Sequence, residues 1–381
     1  MEKINRRTFN IKLSQALAGA ALLSNIPLSY GLNSGKQDKK LGIALVGLGG
    51  YAGGQLAPAL LKAQHCYLAG IVTGTPSKEK EWMDKYSIPK ENVYNYENFD
   101  EIAKNKAIDV VYVVLPNSMH AEFCIRAAKA GKHVITEKPM AVSVAECDAI
   151  IKACNDAGVK LGVGYRMQTD PYTNEIKRLV AEKPMGEVQY ISSDAGFVSA
   201  NNPTQWRLNK KLAGGGALMD MGVYAIQSSI YGAGANPVSI SAQEFKTRPD
   251  YFVDVDESIT AQMKFSNDVV GNMFTSYNAN ANRLFVSFRR GWAELNPCHS
   301  YGPLAGRTSK GEEIKFPFER YYQQTIQMDS FAKHVLTGST NFAPGEMGKR
   351  DIIIVEAIYK SIKEGGKTIP LDLGDMGIVK V

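Results

Sequence analysis

Short apolar runs alternate with amphipathic segments over the first half of the chain. Runs with the length and continuity of strands buried on both faces occur at residues 41–46, 68–72, 108–115, 133–136 and 160–163. Segments with a helix-like pattern lie between them, at residues 53–63, 120–129 and 144–157. Strands that alternate with helices predict an α/β domain with a doubly wound parallel sheet over residues 41–164.

The pattern changes from about residue 165. A helix-like segment at 171–181 is followed by runs typical of strands, at residues 186–193, 237–245, 258–265, 269–277, 284–289 and 291–295. Two later helix-like segments, 323–335 and 349–363, are expected to pack back against the first domain. We therefore expect a C-terminal α+β domain over residues 165–381, with an open and mainly antiparallel sheet.

Composition narrows the function classes. The chain has 381 residues, of which 44% are hydrophobic and 22% charged, which suits two globular domains and excludes a disordered or multi-span membrane protein. The net charge is +6, and residues 1–31 carry three of these charges, so we expect no nucleic-acid partner. Five cysteines without a C-x-x-C pair and five histidines without ligand spacing predict neither a disulfide framework nor a metal site.

The first 31 residues resemble an export signal. Arg6 and Arg7 precede a weakly apolar stretch that has no charged residue between Lys12 and Lys36. This pattern is typical of twin-arginine signals, so we expect export to the periplasm by the twin-arginine machinery, with residues 32–40 as a linker. A basic amphipathic N-terminal helix is the alternative.

A glycine-rich turn follows the first predicted strand. Residues 47–52 read G-x-G-x-x-A, and they stand between a strand and a helix, as in a dinucleotide-binding Rossmann domain. Gly47 permits the tight turn, Gly49 lets the backbone approach a pyrophosphate, and Ala52 lets the helix pack closely on the strand. The candidate cofactor residues of this turn are Gly47, Leu48, Gly49, Gly50, Tyr51 and Ala52.

The residues after the second predicted strand favour NADP over NAD. An NAD enzyme usually places Asp or Glu here to bind the ribose 2′-hydroxyl, and this chain has Thr73, Ser77 and Lys78 instead. Hydroxyl groups and a lysine can bind a 2′-phosphate, which a carboxylate would repel. The alternative is that Lys78 only opens the next helix in solvent.

Five strings of residues resemble the Gfo/Idh/MocA oxidoreductase family, and within it the glucose–fructose oxidoreductase branch. They are V-L-P-N-S-M-H-A-E at 114–122, E-K-P-M at 137–140, G-Y-R at 164–166, W-R-L at 206–208 and L-A-G-G-G-A-L-M-D-M-G-V-Y at 212–224. The resemblance implies that Lys138 lies beside the nicotinamide, with Asp220 and Tyr224 in the same pocket and a cis peptide before Pro139. It also implies a cofactor cleft lined by Leu115, Pro116, Asn117, His120, Glu137, Lys138 and Arg166.

The spacing of the candidate catalytic residues agrees with this resemblance. Asp220 and Tyr224 are four residues apart, so they share one face of a helix. Oxidation of an alcohol needs a base for the hydroxyl proton, and a lysine beside Tyr224 favours the ionised form of that tyrosine. Asp220 then orients the sugar or keeps Lys138 charged. Without the resemblance, a structural Lys–Asp ion pair and a buried structural tyrosine would explain these residues equally well.

The resemblance implies an NADP-dependent sugar oxidoreductase that forms a homodimer or homotetramer. An aldose would be oxidised to its aldonolactone and a ketose reduced to a polyol, with the tightly bound cofactor recycled between them. The alternatives are an NAD(P)-dependent sugar 3-dehydrogenase, a glycoside hydrolase with an oxidative mechanism, and a sensor that has lost its chemistry. Retention of Lys138, Asp220 and Tyr224 disfavours the sensor.

Overall fold

The computed structural model describes residues 39–199, 202 and 204–379. Most of the segment expected to be an export signal and linker therefore lies outside the described residues. Within the described part, no helix combines the length and apolar character needed to cross a bilayer.

The first sheet has six parallel strands in the order β3-β2-β1-β4-β5-β6. The strands are β1 (Leu41–Val46), β2 (Cys66–Val72), β3 (Val93–Tyr94), β4 (Val110–Val113), β5 (His133–Thr136) and β6 (Leu161–Val163). This order reverses beside β1, between β1 and β4, and such a reversal opens a crevice at the carboxyl ends of the strands. The prediction of a doubly wound Rossmann sheet is confirmed.

Helices connect these strands. The first begins as a π-helical turn at Ala52–Leu56 and continues as α1 (Ala57–Leu60), and the others are α2 (Pro76–Tyr86), α3 (His120–Lys129) and α4 (Val144–Asp156). Short 3-10 turns occur at Lys90–Asn92, Phe99–Lys104 and Asn117–Met119.

The second sheet has nine strands in the order β14-β13-β12-β11-β7-β10-β9-β8-β15. Its strands are β7 (Val188–Gly196), β8 (Pro237–Phe245), β9 (Ser258–Phe265), β10 (Val270–Ser276), β11 (Ala281–Phe288), β12 (Gly291–Leu295), β13 (Gly306–Thr308), β14 (Glu313–Ile314) and β15 (Ile369–Pro370). All neighbours are antiparallel except β7 and β10. The expected open, mainly antiparallel sheet is therefore present.

The helices of the second half join the two sheets. They are α5 (Pro171–Glu182), α6 (Lys210–Ala213), α7 (Val223–Ala233), α8 (Tyr322–Thr337) and α9 (Gly345–Lys363), with 3-10 turns at Arg166–Thr169 and Trp206–Leu208 and a π-helical turn at Leu218–Gly222. Every residue of α7 is buried, and this helix packs on β7, β10 and β11. Helix α8 packs on α1 and β2, while α9 contacts α4 and β6 on one side and β8 on the other. Both late helices therefore pack against the first domain, as predicted.

Two glycines allow the backbone approaches that position the site. Gly47 has φ +94°, and a Cβ there would lie 2.6 Å from the carbonyl oxygen of Val114, so this glycine brings the ends of β1 and β4 together. A Cβ on Gly216 would lie 2.0 Å from the carbonyl oxygen of Asp256, so only glycine lets the entry to the Leu218–Gly222 turn pack on the segment before β9.

This close approach predicts a strong effect of Gly216→Ala. The added methyl group requires movement of backbone on both sides of the contact, so we expect the free energy of unfolding to fall by about 2 kcal/mol or more. Gly54→Ala is the matched control, because a Cβ on Gly54 meets no atom within 4 Å. Urea unfolding followed by circular dichroism compares the two variants, and equal midpoints would show that Gly216 is not constrained.

Candidate active site

Lys138 lies at the carboxyl end of β5, where the crevice of the first sheet faces the second. The Lys138–Pro139 peptide is cis, as the family resemblance implies. The Lys138 ammonium donates hydrogen bonds to Oδ1 and to the backbone carbonyl of Asp220, both at 2.8 Å. Both side chains are largely shielded from solvent, with 12% and 15% of their surfaces exposed.

Asp220 receives hydrogen bonds from three side chains. Besides the bond from Lys138, its Oδ2 accepts one from Arg207 Nε and one from the Tyr277 hydroxyl, each at 3.0 Å. Burial would raise the pKa of Asp220, but Lys138 and Arg207 outweigh it and hold that pKa well below its ordinary value. Burial would lower the pKa of Lys138, but the Asp220 carboxylate outweighs this effect and raises it. Lys138 and Asp220 therefore stay charged together near neutral pH.

Tyr224 stands in the first turn of α7 beside this ion pair. The Lys138 ammonium lies 4.8 Å from the centroid of the Tyr224 ring, and the guanidinium of Arg166 lies 4.9 Å from it. The Tyr224 hydroxyl accepts a hydrogen bond of 3.1 Å from Arg166 Nε. The three predicted catalytic side chains are thus brought together.

Hydrogen bonds to Asp256 hold in place the turn that carries Asp220. The carboxylate of Asp256 accepts hydrogen bonds of 2.7 Å from the backbone amides of Gly216 and Leu218, which are otherwise unsatisfied at a helix start. Tyr359 of α9 donates a further bond of 2.7 Å to the same carboxylate. This buried aspartate fixes the direction in which the turn presents Asp220.

Arg166 connects the catalytic tyrosine to a loop of the second sheet. It is only 2% exposed, and it donates hydrogen bonds to Gln323 Oε1 and to the carbonyl oxygens of His299 and Ser300. Its guanidinium also lies 4.7 Å from the centroid of the Tyr301 ring. Arg166 therefore holds both Tyr224 and the loop around residue 300 in place.

Tyr51 of the glycine-rich turn reaches the same cluster. Its ring stacks on Tyr301 with the centroids 5.9 Å apart. Burial raises the pKa of Tyr51, and Glu137 raises it further, so Tyr51 stays a neutral hydroxyl group. The turn expected to bind the cofactor phosphates and the loop of the second sheet thus meet at the candidate active site.

Glu137 is a buried carboxyl group behind Lys138. Its Oε1 accepts a hydrogen bond of 2.5 Å from the Tyr112 hydroxyl, which itself accepts one of 2.6 Å from Gln327 Nε2. Burial raises the pKa of Glu137, and the hydrogen bond from Tyr112 and the charge of Lys138 oppose that shift. Glu137 therefore supports the base of the cleft and the segment that carries Lys138.

The geometry of residues 47–52 and 73–78 suits a dinucleotide phosphate. A Cβ on Gly49 or Gly50 would meet no protein atom within 4 Å, so this backbone is open to close approach. The Lys78 ammonium donates a hydrogen bond of 2.8 Å to the carbonyl oxygen of Leu48, which places a positive charge beside the turn. Ser77 is exposed in the first turn of α2.

Two predicted cofactor residues are buried in the structure. Thr73 is only 3% exposed, and its hydroxyl accepts a hydrogen bond from the Thr75 amide, which stabilises the turn after β2. His120 is fully buried, with its ring nitrogens 2.9 Å from the carbonyl oxygens of Leu115 and Pro139. It supports the cleft from behind and offers no surface to a ligand.

The other predicted cleft residues occupy the edge of the first sheet. Leu115 and Asn117 are buried, and Pro116 between them is partly exposed. Asn117 donates a hydrogen bond of 2.8 Å to the carbonyl oxygen of Ala213, which ties this edge to the segment before the Asp220 turn. Among the residues that the structure describes, no group of three or more His, Cys, Asp or Glu side chains could hold a metal ion.

The site also contains three side chains that were not predicted from the sequence, those of Arg207, Tyr277 and Tyr301. Arg207 belongs to the W-R-L string that carries the family resemblance, and this string was the available signal for it. Tyr277 follows β10 and Tyr301 lies between β12 and β13, and neither position stands in a motif. Only the fold brings these three side chains to Asp220 and Arg166.

Family models match both halves of the chain. Residues 41–165 match the oxidoreductase family with an NAD-binding Rossmann fold, and residues 173–294 match the GFO/IDH/MocA C-terminal domain. The chain belongs to the Gfo/Idh/MocA oxidoreductase family, which confirms the predicted family, the enzyme class and the expectation of a nicotinamide cofactor.

Individual relatives agree with this membership. The crystal structure of an aldose–aldose oxidoreductase from Caulobacter crescentus is 40% identical in sequence, covers 87% of this chain and 100% of its own, and has a TM-score of 0.83. The NADP-dependent D-xylose 1-dehydrogenase of Haloarcula marismortui is 27% identical and covers 88% of this chain and 94% of its own. An inositol dehydrogenase homologue from Azotobacter vinelandii, solved with NAD+, shares the fold at 16% identity, with a TM-score of 0.78 over 88% of this chain and 98% of its own.

The ion pair at the centre of the site predicts the behaviour of Asp220→Asn. Without the carboxylate, burial of Lys138 is no longer opposed by its main counter-charge, so the pKa of Lys138 falls. We expect turnover to decline on the alkaline side at a lower pH than in the wild type. We also expect the free energy of unfolding to drop by roughly 3 kcal/mol, because one partner of a buried pair is lost.

The control is Asp156→Asn, which removes the carboxylate of an exposed ion pair with Lys152. The rate of nicotinamide reduction measured against pH tests the prediction. An alkaline limb at the same pH in Asp220→Asn and in Asp156→Asn would contradict the role given to Asp220.

Proposed function

We propose that this protein is an NADP-dependent sugar oxidoreductase that oxidises an aldose at C1 to its lactone. The observation that carries the proposal is the contact of Lys138, Asp220 and Tyr224 at the carboxyl edge of a dinucleotide-binding sheet. The xylose dehydrogenase and the aldose–aldose oxidoreductase support a sugar as the substrate.

The catalytic side chains have different roles, which follow from their charges. A bound NADP supplies the hydride acceptor and donor at its nicotinamide ring. Tyr224 takes the proton of the sugar hydroxyl when the aldose is oxidised and returns a proton when a carbonyl is reduced. Arg166 donates a hydrogen bond to the Tyr224 oxygen, and an ionised phenol accepts such a bond more strongly than a neutral one.

Lys138 and Asp220 together stabilise charge on the sugar oxygen that reacts. The Lys138 ammonium stabilises negative charge that develops on the sugar oxygen in either direction. Asp220 keeps that ammonium charged and directs it, and Arg207 together with Tyr277 fixes the carboxylate. Arg207 is 39% exposed at its side chain, so it also offers hydrogen bonds to sugar hydroxyls.

A second sugar completes the proposed reaction cycle as the hydride acceptor. Tightly bound NADP would be reduced by the aldose and reoxidised by a ketose such as fructose, which gives a polyol. The aldose–aldose oxidoreductase supports a second candidate, in which another aldose molecule is the acceptor. The twin-arginine pattern supports a periplasmic location, where a recycled cofactor removes the need for a free pool, and family membership supports a homo-oligomer.

A substitution of Lys78 tests whether the protein prefers NADP to NAD. Its ammonium lies at the glycine-rich turn, and it is the nearest positive charge after β2. We expect Lys78→Ala to lose about tenfold or more in affinity for NADP while affinity for NAD changes little, because one charge-assisted contact to a phosphate is removed.

Lys80→Ala is the matched control, since Lys80 lies on the same helix and pairs with Asp84 in solvent. Dissociation constants from nucleotide fluorescence separate the two variants. An unchanged ratio of the NADP and NAD affinities in Lys78→Ala would contradict the assignment of Lys78.

The central experiment uses the purified protein without added nucleotide. Absorbance near 340 nm is recorded, glucose is added, then fructose, and the released nucleotide is identified by mass. We expect bound NADP that glucose reduces and fructose reoxidises, with a lactone and sorbitol as products.

Glucose alone distinguishes the two acceptors. If an aldose is the acceptor, glucose yields lactone and sorbitol together without fructose. A protein that releases an aglycone or a 3-keto sugar instead would contradict the proposal.

In Tyr224→Phe, turnover should fall by about a hundredfold or more while NADP stays bound, since only the proton acceptor is removed.

A further inference from the structure

A second cavity lies apart from the candidate active site. It has a volume of about 1100 Å³ and opens between α5, the end of α7, the turn before β10 and the start of α9. Lys138, Asp220 and Tyr224 do not line it. Its wall includes Gln168, which stands in the same 3-10 turn as Arg166.

Lys177 brings to this cavity an ammonium group that has no ion-pair partner among the described residues. The ammonium donates a hydrogen bond of 2.8 Å to Gln168 Oε1 and lies 4.7 Å from the centroid of the Tyr231 ring. Within the described part of the chain, no carboxylate oxygen lies within 4.0 Å of it. Burial and the charge of Arg350 lower the pKa of Lys177 to about 8, so the group is still mostly protonated at neutral pH.

The other charged groups around the cavity are held in ion pairs. The ion pairs are Arg178 with Glu175 and Glu182, Lys183 with Glu187, Asp268 with Lys264, and Arg350 with Asp351. Among the described residues that line the cavity, the Lys177 ammonium is therefore the charged group without an ion-pair partner. An ammonium without an ion-pair partner can bind an anionic group such as a carboxylate by a charge-assisted hydrogen bond.

Two buried polar groups in the wall also lack hydrogen bonds. Arg350 is 1% exposed, and its Nη2 group makes no hydrogen bond although it lies 2.8 Å from Asp351 Oδ1. Asn174 Oδ1 is buried without a donor. Arg350 Nη2 is thus already paired with Asp351 by charge, whereas Asn174 Oδ1 remains an acceptor without a donor in the wall of the cavity.

We infer that this cavity is a binding site for a small polyhydroxy carboxylate, with Lys177 at the carboxylate. Asn174, Gln189 and Asn267 line the remaining wall with amide groups, which bind hydroxyls as both donors and acceptors. An aldonate fits this chemistry, since the lactone of the proposed reaction takes up one water molecule and becomes an aldonic acid. The choice of a sugar acid among carboxylates rests on the proposed function.

Gln168 links this site to the reaction centre. Its Nε2 donates hydrogen bonds to Tyr231 Oη at 2.8 Å and to Gln227 Oε1 at 3.0 Å, while its Oε1 accepts from Lys177. A carboxylate that draws the ammonium away from Gln168 therefore acts on the turn that holds Arg166 against Tyr224.

Calorimetric titration of D-gluconate into the purified holoprotein tests the inference. We expect binding to the wild type, and binding weaker by about tenfold or more in Lys177→Met, which keeps the length of the side chain and removes the charge. The matched control Lys152→Met changes an exposed lysine of α4 and should bind gluconate like the wild type. Glucose, which lacks the carboxylate, should show no difference between Lys177→Met and Lys152→Met.

The pH dependence adds an independent readout. Lys177 loses its proton as pH rises through about 8, so gluconate binding to the wild type should weaken above that pH and stay flat in Lys177→Met. No binding of gluconate, or equal binding in Lys177→Met and Lys152→Met, would overturn the inference. Cofactor reduction by sugar, measured on the same samples, reports separately on the proposed function.

Discussion

The buried carboxylate of Asp220 is the interaction on which the candidate site depends. It lies between a lysine from the first sheet's edge and an arginine and a tyrosine from the second half of the chain. An unpaired carboxylate in this position would be costly, so the segments that carry Lys138, Arg207 and Tyr277 must meet at one point. The junction of the two sheets is therefore fixed by charge as well as by apolar packing.

The same cluster leaves the site with more positive than negative charge. Lys138, Arg166 and Arg207 face the carboxyl groups of Asp220 and Glu137, and burial disfavours ionisation of Glu137. Such a surplus favours the negative charge that develops on the sugar oxygen in the proposed reaction. Arg166 contributes without leaving the framework, because its carbonyl partners on the loop around residue 300 hold it rigidly.

Local patterns predicted the first domain well, because parallel strands and their helices are encoded over short stretches of chain. The run at 41–46 and the glycine-rich turn after it needed no tertiary information. The pairing of Asp220 with Tyr224 was also local, although the backbone passes from a π-helical turn into α7 between them. The burial of His120 was not predictable, because a motif gives a position in the chain and does not say whether the side chain faces the cleft or the core.

The sequence alone could not identify contacts between site residues that are distant in the chain. Tyr277 and Tyr301 follow strands of the second sheet, and their places depend on a strand order that no spacing encodes. The balance of charges is equally non-local, as the two lysines Lys138 and Lys177 show. Burial lowers the pKa of both lysines. The pKa of Lys138 nevertheless rises because the Asp220 carboxylate outweighs burial, whereas that of Lys177 falls to about 8 because of burial and, to a smaller extent, the charge of Arg350. Lys138 therefore stays protonated near neutral pH, whereas the protonation of Lys177 can change with pH or with a bound ligand. Only the fold distinguishes these two lysines.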